Sequence, residues 1–212
     1  MATIDLKRAQ THASPLGETK GSISSTTSGV RIQTRLKSQT SLIIGGGRSG
    51  KSSYAQDYAL SVSEGTSSRA YIATAEPIDR EMKERIAAHQ KDRADRFITI
   101  EEPLDLAQAI GQLPPSVQVC VVDCLTVWLG NLLFHKKDTA DEIRKLITIL
   151  KDPPCDILLV TNETGLGIIP SDAESRAFRD IAGWMNQDIA SVSKNVILLV
   201  AGLPLALKGE VL

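Results

Sequence analysis

The segment from residue 45 to residue 52 has the residue types and spacing of a phosphate-binding loop. It reads Gly-Gly-Gly-Arg-Ser-Gly-Lys-Ser and fits the pattern G-x-x-x-x-G-K-[ST] where an apolar run ends. Glycines let the backbone turn so that successive N–H groups point inward, and the following helix adds its positive N-terminal end. Lys51 is expected to reach the β- and γ-phosphates, and Ser52 to hold Mg²⁺. The pattern therefore predicts a nucleoside triphosphate site built from Gly45, Gly46, Gly47, Arg48, Ser49, Gly50, Lys51 and Ser52.

Asp123 is the candidate for the second metal carboxylate that such a loop requires. It ends the apolar run 117–122, where a carboxylate is costly unless it lies at the edge of the sheet or meets a cation. The alternative is an aspartate that caps the following helix. We interpret the flanking Cys120 and Cys124 as small buried hydrophobic residues without a chemical role.

Alternating strand and helix patterns must position these residues. Several of the predicted strands are apolar at consecutive positions, as in 119–122, which is typical of strands buried on both faces of a parallel sheet. We therefore predict a three-layer α/β fold of the P-loop NTPase type, with a mostly parallel sheet of about six or seven strands. The predicted strands are Ser41–Ile44, Ala70–Thr74, Phe97–Ile100, Val117–Asp123, Asp156–Thr161 and Asn195–Val200, with helices between them.

Residues 1–40 differ in composition from the rest of the 212-residue chain. They contain 13 serines and threonines, no aromatic residue and a charge of +4. Since the net charge of the chain is −1, residues 41–212 have a charge of −5. Such a segment cannot bury enough apolar surface to offset its chain entropy. We predict a disordered extension over 1–40 and one nucleotide-binding domain over 41–212; an organelle transit peptide is the alternative for the extension.

The composition as a whole excludes several classes of function. With 24 basic and 25 acidic residues, the chain has no basic field that would attract nucleic acid. Its longest apolar runs are far shorter than the roughly 20 residues that span a bilayer, so we expect no membrane span. Three cysteines without a CxxC pair support neither a disulfide framework nor a zinc site, and we expect a cytoplasmic protein.

Several further motifs follow one another along the chain and carry a specific resemblance. They are the loop at 45–52, Tyr71-Ile72-Ala73-Thr74, Asp123-Cys124-Leu125-Thr126 with Asn131-Leu132-Leu133, Thr161-Asn162-Glu163-Thr164-Gly165-Leu166-Gly167 and Arg176-Ala177-Phe178-Arg179-Asp180. In this order they resemble the bifunctional adenosylcobinamide kinase / adenosylcobinamide-phosphate guanylyltransferase family, from about residue 41 to Lys208. The resemblance covers the predicted domain and omits the N-terminal extension.

The resemblance implies an enzyme that acts twice on one corrinoid in cobalamin biosynthesis. ATP or GTP would phosphorylate the hydroxyl of the aminopropanol arm of adenosylcobinamide. GTP would then donate GMP to that phosphate through a guanylylated histidine, giving adenosylcobinamide-GDP and pyrophosphate. The resemblance also implies a homotrimer.

His89 is the candidate for the guanylylated histidine, since it matches the family's Arg-Ile-x-x-His-x-x-x-Arg region. On a helix, Arg85, His89 and Arg93 would lie near one face and could bracket a triphosphate. From spacing alone a packed histidine is the favoured reading, because Met82 and Ile86 share that face; the resemblance favours the nucleophile. This chain has Ala88 where members of the family have a second histidine. His12 and His135 lie in polar segments typical of the surface.

The resemblance assigns further residues to the nucleotide, and a position in or after the fifth strand, at the ligand-binding edge of the sheet, suggests others for the corrinoid. Those for the nucleotide are Thr74, Ala75, Glu76, Gln90, Lys91, Asp92, Arg93 and Glu101. Those we predict for the corrinoid or its phosphate are Asn162, Glu163, Arg176, Arg179 and Asp180. The alternatives are a solvated Glu101 and, for Arg176, Arg179 and Asp180, a salt-bridged helix face.

Two other functions remain open at this level. One is a P-loop small-molecule kinase without guanylyl transfer, for which His89 is the discriminating residue. The other is a nucleotide-gated switch in which the loop drives a conformational change.

Overall fold

A computed structural model of the chain describes residues 37–77, 80, 83–84 and 94–212. In this part, seven strands form one sheet. They are β1 (Thr40–Gly45), β2 (Arg69–Ala73), β3 (Ile98–Glu101), β4 (Val119–Asp123), β5 (Asp156–Asn162), β6 (Asn195–Val200) and β7 (Leu203–Lys208). The α-helices described in full are α1 (Lys51–Ser61), α2 (Leu106–Gly111), α3 (Leu125–Phe134), α4 (Thr139–Leu150) and α5 (Ala173–Val192).

The sheet has the order β3-β2-β4-β5-β1-β6-β7. All neighbouring pairs are parallel except β6 and β7, which are antiparallel. The six predicted strands are all present, each within two residues of its predicted bounds. The predicted α/β fold with a mostly parallel sheet is therefore confirmed.

β7 is the strand that the alternating pattern did not locate. A turn at Ala201 and Gly202, with φ of 52° and 80°, returns the chain antiparallel to β6. Positive φ at both central residues is typical of a two-residue hairpin, which needs no crossover helix. The last connection of the domain is for this reason a hairpin and not another helix.

The sheet separates two hydrophobic cores, because successive side chains of a strand point to opposite faces. In β1, Leu42 belongs to one core and Ile43 to the other. The first core also contains side chains of α2, α3, α4 and α5, whereas the second contains Ala55 and Ala59 of α1. Among the described helices, α1 thus covers one face of the sheet and the other four cover the opposite face.

The first strand begins one residue earlier than the predicted domain boundary. Thr40 starts β1, and its hydroxyl donates to the backbone oxygen of Leu150 at 3.0 Å. The backbone N–H of Gln39 donates to Asp156 Oδ1 at 2.9 Å, and its carbonyl accepts from the N–H of Ile157. Gln39 and Thr40 therefore belong to the folded domain.

No helix in the residues that the structure describes is long and apolar enough to cross a membrane.

Candidate nucleotide site at the carboxyl edge of the sheet

The parallel register brings the carboxyl ends of five strands to one edge of the sheet. Gly45 at the end of β1 pairs with Asn162 of β5, and Asp123 of β4 pairs with Ala73 of β2. Ala73 in turn pairs with Glu101 of β3. In open α/β sheets, ligands bind at this edge. Residues predicted from separate parts of the sequence therefore lie along one line.

The loop between β1 and α1 has the conformation that its glycines allow. Gly50, immediately before α1, has a φ of 97°, which a residue with a side chain rarely adopts. A Cβ on Gly45 would collide with the carbonyl oxygen of Leu199 in β6 and lie 2.8 Å from Ser49 Oγ. A Cβ on Gly46 or Gly47 would meet nothing within 4 Å. Gly45 is thus required by packing, whereas the space in front of Gly46 and Gly47 is open to a ligand.

Lys51 is the first residue of α1 and its side chain is buried. Its Nζ donates to the carbonyl oxygen of Gly46 at 2.6 Å and to Ser49 Oγ at 3.4 Å, so the ammonium lies within the loop. Burial lowers the pKa of Lys51, while the negative charge of Asp123 acts in the opposite direction. The helix that begins at Lys51 packs against the strand that ends at Asp123, so the predicted phosphate cation and the predicted metal carboxylate lie on neighbouring elements.

Asp123 is held by Tyr71 and does not cap a helix. The hydroxyl of Tyr71 in β2 donates to Asp123 Oδ2 at 2.6 Å. The N-cap residue of α3 is Cys124, and no side chain caps this helix end. The capping alternative for Asp123 is therefore wrong. In the sheet, β5 lies between β4, which ends at Asp123, and β1, which leads into the loop.

The two cysteines next to Asp123 have the properties of buried thiols. Burial raises the pKa of Cys120 well above its ordinary value. Burial and, to a smaller extent, the neighbouring charge of Asp123 raise the pKa of Cys124 to about 12. Since the thiolate is the nucleophilic form, neither residue is suited to nucleophilic catalysis near neutral pH.

Thr74 has a fully buried side chain that links two loops of this edge. Its hydroxyl donates to the backbone oxygen of Cys124 at 2.9 Å and accepts from the backbone N–H of Cys124 at 2.8 Å. Its carbonyl accepts from Asn131 Nδ2 of α3 at 2.7 Å. These bonds give Thr74 a role in positioning Asp123 and Cys124. Ala75, which follows it, is only partly buried.

Glu76 is hydrogen-bonded to His135, which follows α3. The Nε2 atom of His135 lies 2.9 Å from Glu76 Oε2 and 3.1 Å from Oε1. The imidazole also packs edge-on against the ring of Phe134, with centroids 5.1 Å apart. His135 is exposed, as its polar segment predicted, and its imidazole also engages the carboxylate of Glu76.

Glu101 lies at the same edge but far from the loop. Its strand β3 is separated from β1 by β2, β4 and β5. With about 4.8 Å between neighbouring strands, the two strand ends are roughly 19 Å apart. Glu101 also has a protein partner, so it is not a solely solvated carboxylate. Any contact it makes with a nucleotide would be remote from phosphates held by the loop.

The end of β5 is fastened by a network of polar side chains that the sequence did not reveal. The hydroxyl of Thr126 accepts from the backbone N–H of Asn162 at 2.7 Å and lies 3.2 Å from Thr161 Oγ1. Thr161 donates to Asn186 Oδ1 of α5 at 3.1 Å, and Asn186 Nδ2 donates to the carbonyl of Asn162 at 3.4 Å. The sequence showed only that threonines and asparagines occupy positions that are usually apolar in a buried strand or helix.

Arg176, Arg179 and Asp180 of α5 do not form one salt-bridged face. Arg176 Nη1 donates to the carbonyls of Pro170 and Ser171 at 3.0 and 2.6 Å. Arg179 Nε lies 4.0 Å from Asp180 Oδ1, the limit for an ion pair. Arg176 therefore fastens the loop that precedes α5.

The predicted residues His89, Gln90, Lys91, Asp92 and Arg93, with Arg85, lie outside the described residues. Their assignment rests on the sequence alone.

Comparisons with known proteins place this chain in a family. Residues 41–207 match the family model described as cobinamide kinase / cobinamide phosphate guanyltransferase. The bifunctional adenosylcobalamin biosynthesis protein CobP of Pseudomonas aeruginosa is 44% identical over 80% of this chain and 97% of its own length. The corresponding CobU of Escherichia coli K12 is 35% identical over 79% of this chain and 98% of its own.

Similarity to solved structures is weaker. The flagellar accessory protein FlaH of Methanocaldococcus jannaschii superposes with a TM-score of 0.48 at 15% identity, over 82% of this chain and 80% of that one. Similarity at this level adds nothing to the fold described above.

The family model and the relatives span the domain that contains the loop at 45–52, Asp123 and the β5 edge. They confirm the resemblance of the sequence, and with it the prediction of an enzyme with kinase and guanylyltransferase activities. The chain belongs to the cobinamide kinase / cobinamide phosphate guanyltransferase family.

Proposed function

We propose that the carboxyl edge of the sheet is where this enzyme binds its nucleotide and carries out both family reactions. It phosphorylates the aminopropanol hydroxyl of adenosylcobinamide with ATP or GTP, and then transfers GMP from GTP to the new phosphate. The observation that carries the proposal is the buried Lys51 inside a loop with open space before Gly46 and Gly47, on a helix that packs against the strand of Asp123.

In the kinase reaction, the loop binds and orients the triphosphate. Backbone N–H groups of residues 46–51 would face the phosphate oxygens, and the N-terminus of α1 would add its partial positive charge. The hydroxyl oxygen of the substrate attacks the γ-phosphorus, and the bond from that phosphorus to the β,γ-bridging oxygen breaks. Lys51 would stabilise the charge on the departing diphosphate, and the hydroxyl proton is released.

Ser52 and Asp123 fit a Mg²⁺ ion by the chemistry of their side chains. A hydroxyl and a carboxylate are the hard oxygen ligands that Mg²⁺ takes beside substrate phosphates. When bound, the ion supplies positive charge that neutralises the phosphate oxygens. Tyr71 holds the carboxylate of Asp123 from the side of β2.

In the guanylyl transfer reaction, we assign the nucleophile to His89 on the resemblance. An imidazole nitrogen attacks the α-phosphorus of GTP, an N–P bond forms, and pyrophosphate leaves as the α,β-bridging P–O bond breaks. A phosphate oxygen of adenosylcobinamide phosphate then attacks the same phosphorus, and the N–P bond breaks. Arg93 with Gln90, Lys91 and Asp92 would contact the nucleotide around His89.

The remaining nucleotide and corrinoid assignments are parts of the same proposal. Thr74 would act through the positions of Asp123 and Cys124, given its hydrogen bonds to the latter. Ala75, Glu76 and Glu101 would lie on the side of β2 and β3, away from the triphosphate. Asn162, Glu163, Arg176, Arg179 and Asp180 would lie on the side of the corrinoid.

A double-label experiment tests the proposal. The enzyme is incubated with GTP labelled at the α- or the γ-phosphate, with and without adenosylcobinamide, and both protein and corrinoid are analysed. We expect γ-label in adenosylcobinamide phosphate, and α-label first in the protein and then in adenosylcobinamide-GDP. If only the γ-label is transferred, the enzyme is a kinase without guanylyl transfer activity.

We also propose a homotrimer in the cytoplasm. The trimer is inferred from the resemblance. The location is inferred from the three cysteines Cys120, Cys124 and Cys155, which are all free thiols. Sedimentation equilibrium of the purified enzyme would measure the assembly directly. A mass other than three chains would contradict it.

A further inference from the structure

The loop between β5 and α5, residues 163–172, exposes three large apolar side chains within four consecutive residues. Leu166, Ile168 and Ile169 have exposed fractions of 85%, 96% and 65%. Exposed apolar residues scattered singly are ordinary, whereas a contiguous exposed patch marks a binding surface. We call these three side chains the apolar patch.

Hydrogen bonds at both ends keep this loop in place. At its start, the carboxylate of Glu163 accepts from the backbone N–H groups of Gly165 and Leu166, each at 2.8 Å. At its end, Arg176 donates to the carbonyls of Pro170 and Ser171, and Asp172 accepts from the N–H of Ser175 at 2.7 Å. The apolar patch is therefore displayed by a fastened loop.

The same loop is joined directly to the phosphate-binding loop. The backbone N–H of Glu163 donates to the carbonyl of Gly45 at 3.0 Å, and Gly45 pairs with Asn162 in the sheet. The patch thus begins a few residues from the point where the phosphate loop starts. The loop that carries the patch and the phosphate loop therefore start from neighbouring strand ends at one edge of the sheet.

We propose that the apolar patch binds one face of the corrin macrocycle of adenosylcobinamide and so determines specificity for the corrinoid. The proposal rests on the proposed nucleotide site, since the acceptor hydroxyl must reach the γ-phosphate held there. The corrin ring presents a broad face of carbon atoms and methyl groups between its polar amide arms, and its reacting hydroxyl is at the end of a flexible arm. A ring on Leu166, Ile168 and Ile169 would leave that arm free to extend toward Lys51.

Glu163 acquires a different role in this arrangement from the one its position suggested. Its carboxylate is engaged by two N–H groups of its own loop. It is a positioning residue for the patch and not a direct ligand of the corrinoid.

A pair of matched double variants tests the proposal. Leu166→Ser with Ile168→Ser removes two residues of the patch, and Leu205→Ser with Leu207→Ser changes two leucines of β7 that are 57% and 58% exposed. We expect the first variant to raise the KM for adenosylcobinamide at least tenfold, with kcat at saturation and the Kd for GTP within twofold of wild type. We expect the control variant to leave all three unchanged.

Two results would overturn the proposal. One is an unchanged KM for adenosylcobinamide in the patch variant. The other is a raised KM together with a changed sedimentation coefficient, which would make the patch a contact between copies of the chain.

A binding measurement keeps the proposal testable if the patch variant is unstable. A fluorophore on Ile168→Cys should be quenched saturably by adenosylcobinamide, whose corrin absorbs visible light, and the same fluorophore on Leu207→Cys should not. Absence of quenching at Ile168 would overturn the proposal. Phosphorylation of adenosylcobinamide by the wild-type enzyme, measured alongside, would show whether the proposed function itself has failed.

Discussion

At the scale of single residues, the site combines a lysine and a carboxylate that neighbouring groups hold in place. Lys51 is bonded within its own loop, and Asp123 is bonded by Tyr71 from the next strand. Each charged group is therefore positioned before a nucleotide binds. Preorganised charge of this kind is the main contribution a protein makes to phosphoryl transfer.

We expect Lys51→Ala to abolish the kinase reaction and to weaken nucleotide binding, because it removes the charge that faces the β- and γ-phosphates.

Asp123→Asn should lower kcat by at least a hundredfold at limiting Mg²⁺ through loss of a metal ligand. Steady-state rates over a Mg²⁺ titration measure both effects. Wild-type turnover of Asp123→Asn at limiting Mg²⁺ would exclude its role at the metal.

The lowered pKa of Lys51 predicts a pH dependence for GTP binding. Burial moves the pKa below its ordinary value of 10.5. Phosphates bind the protonated form, so affinity should be greatest below the pKa of the free enzyme and fall as pH rises through it. We would measure the Kd of the wild-type enzyme for GTP between pH 7 and 10. It should begin to rise at a lower pH than the titration of an ordinary lysine would cause.

Lys51→Arg is the control for this titration, since a guanidinium stays protonated throughout that range. Its Kd for GTP should be higher at neutral pH but should not change with pH. The same rise in both proteins would assign the titration to another group.

His89→Asn should separate the two reactions. The substitution retains a polar side chain and removes the nucleophilic nitrogen, so GMP transfer should fall by orders of magnitude while phosphorylation of adenosylcobinamide continues. Wild-type protein given α-labelled GTP should hold label in a bond that acid breaks and alkali spares, as a phosphoramidate does. Loss of both activities together would indicate a structural histidine, and undiminished labelling of the variant would place the nucleophile elsewhere.

At the scale of elements, the loop between β1 and α1 uses its glycines for two different purposes. Gly45 permits close approach to the backbone of β6, whereas Gly46 and Gly47 face open space. The sequence motif does not distinguish these roles. The packing of β6 beside β1 does.

We expect Gly45→Ala and Gly46→Ala to have opposite profiles. The added methyl at Gly45 collides with the backbone of Leu199, so it should lower the melting temperature by several degrees as an overpacked position does. The methyl at Gly46 meets no protein atom and should leave the melting temperature within a degree while it weakens GTP binding. Thermal melts with and without GTP measure both, and equal melting temperatures of the two variants would contradict this division.

At the scale of the whole molecule, the folded domain begins before the composition of the sequence changes. Gln39 and Thr40 are bonded to Asp156 and Leu150, although they belong to the polar segment by composition. Lys37 forms an exposed ion pair with Asp152, a contact that contributes little. The folded domain thus includes Gln39 and Thr40.

Two truncations test this boundary. Deletion of residues 1–36 should leave the melting temperature and both activities unchanged, because this polar segment without an aromatic residue offers too little apolar surface to bury. Deletion of residues 1–40 should lower the melting temperature by a few degrees while it retains both activities. It removes Thr40, the first residue of β1, and the preceding Gln39, both of which are hydrogen-bonded to the domain. A large loss of stability on deletion of 1–36 would show that this segment packs on the domain.

The sequence by itself determined the features that depend on consecutive residues. The phosphate loop could be predicted because eight adjacent residues carry its chemistry. The strands could be predicted because burial on both faces requires unbroken apolar runs. The family was identifiable because its motifs occur in order along the chain. The aspartate at the end of β4 was located by the same local pattern.

Tertiary structure alone decided what depends on the pairing of distant segments. Tyr71 and Asp123 are 52 residues apart, and only the alignment of β2 with β4 brings them together. The insertion of β5 between β1 and β4 and the bonding of Thr74 to Cys124 follow from strand order and register, which no local pattern encodes. The apolar patch is of the same kind: hydrophobicity predicts burial, and only the fastening of its loop at the sheet edge leaves those side chains exposed.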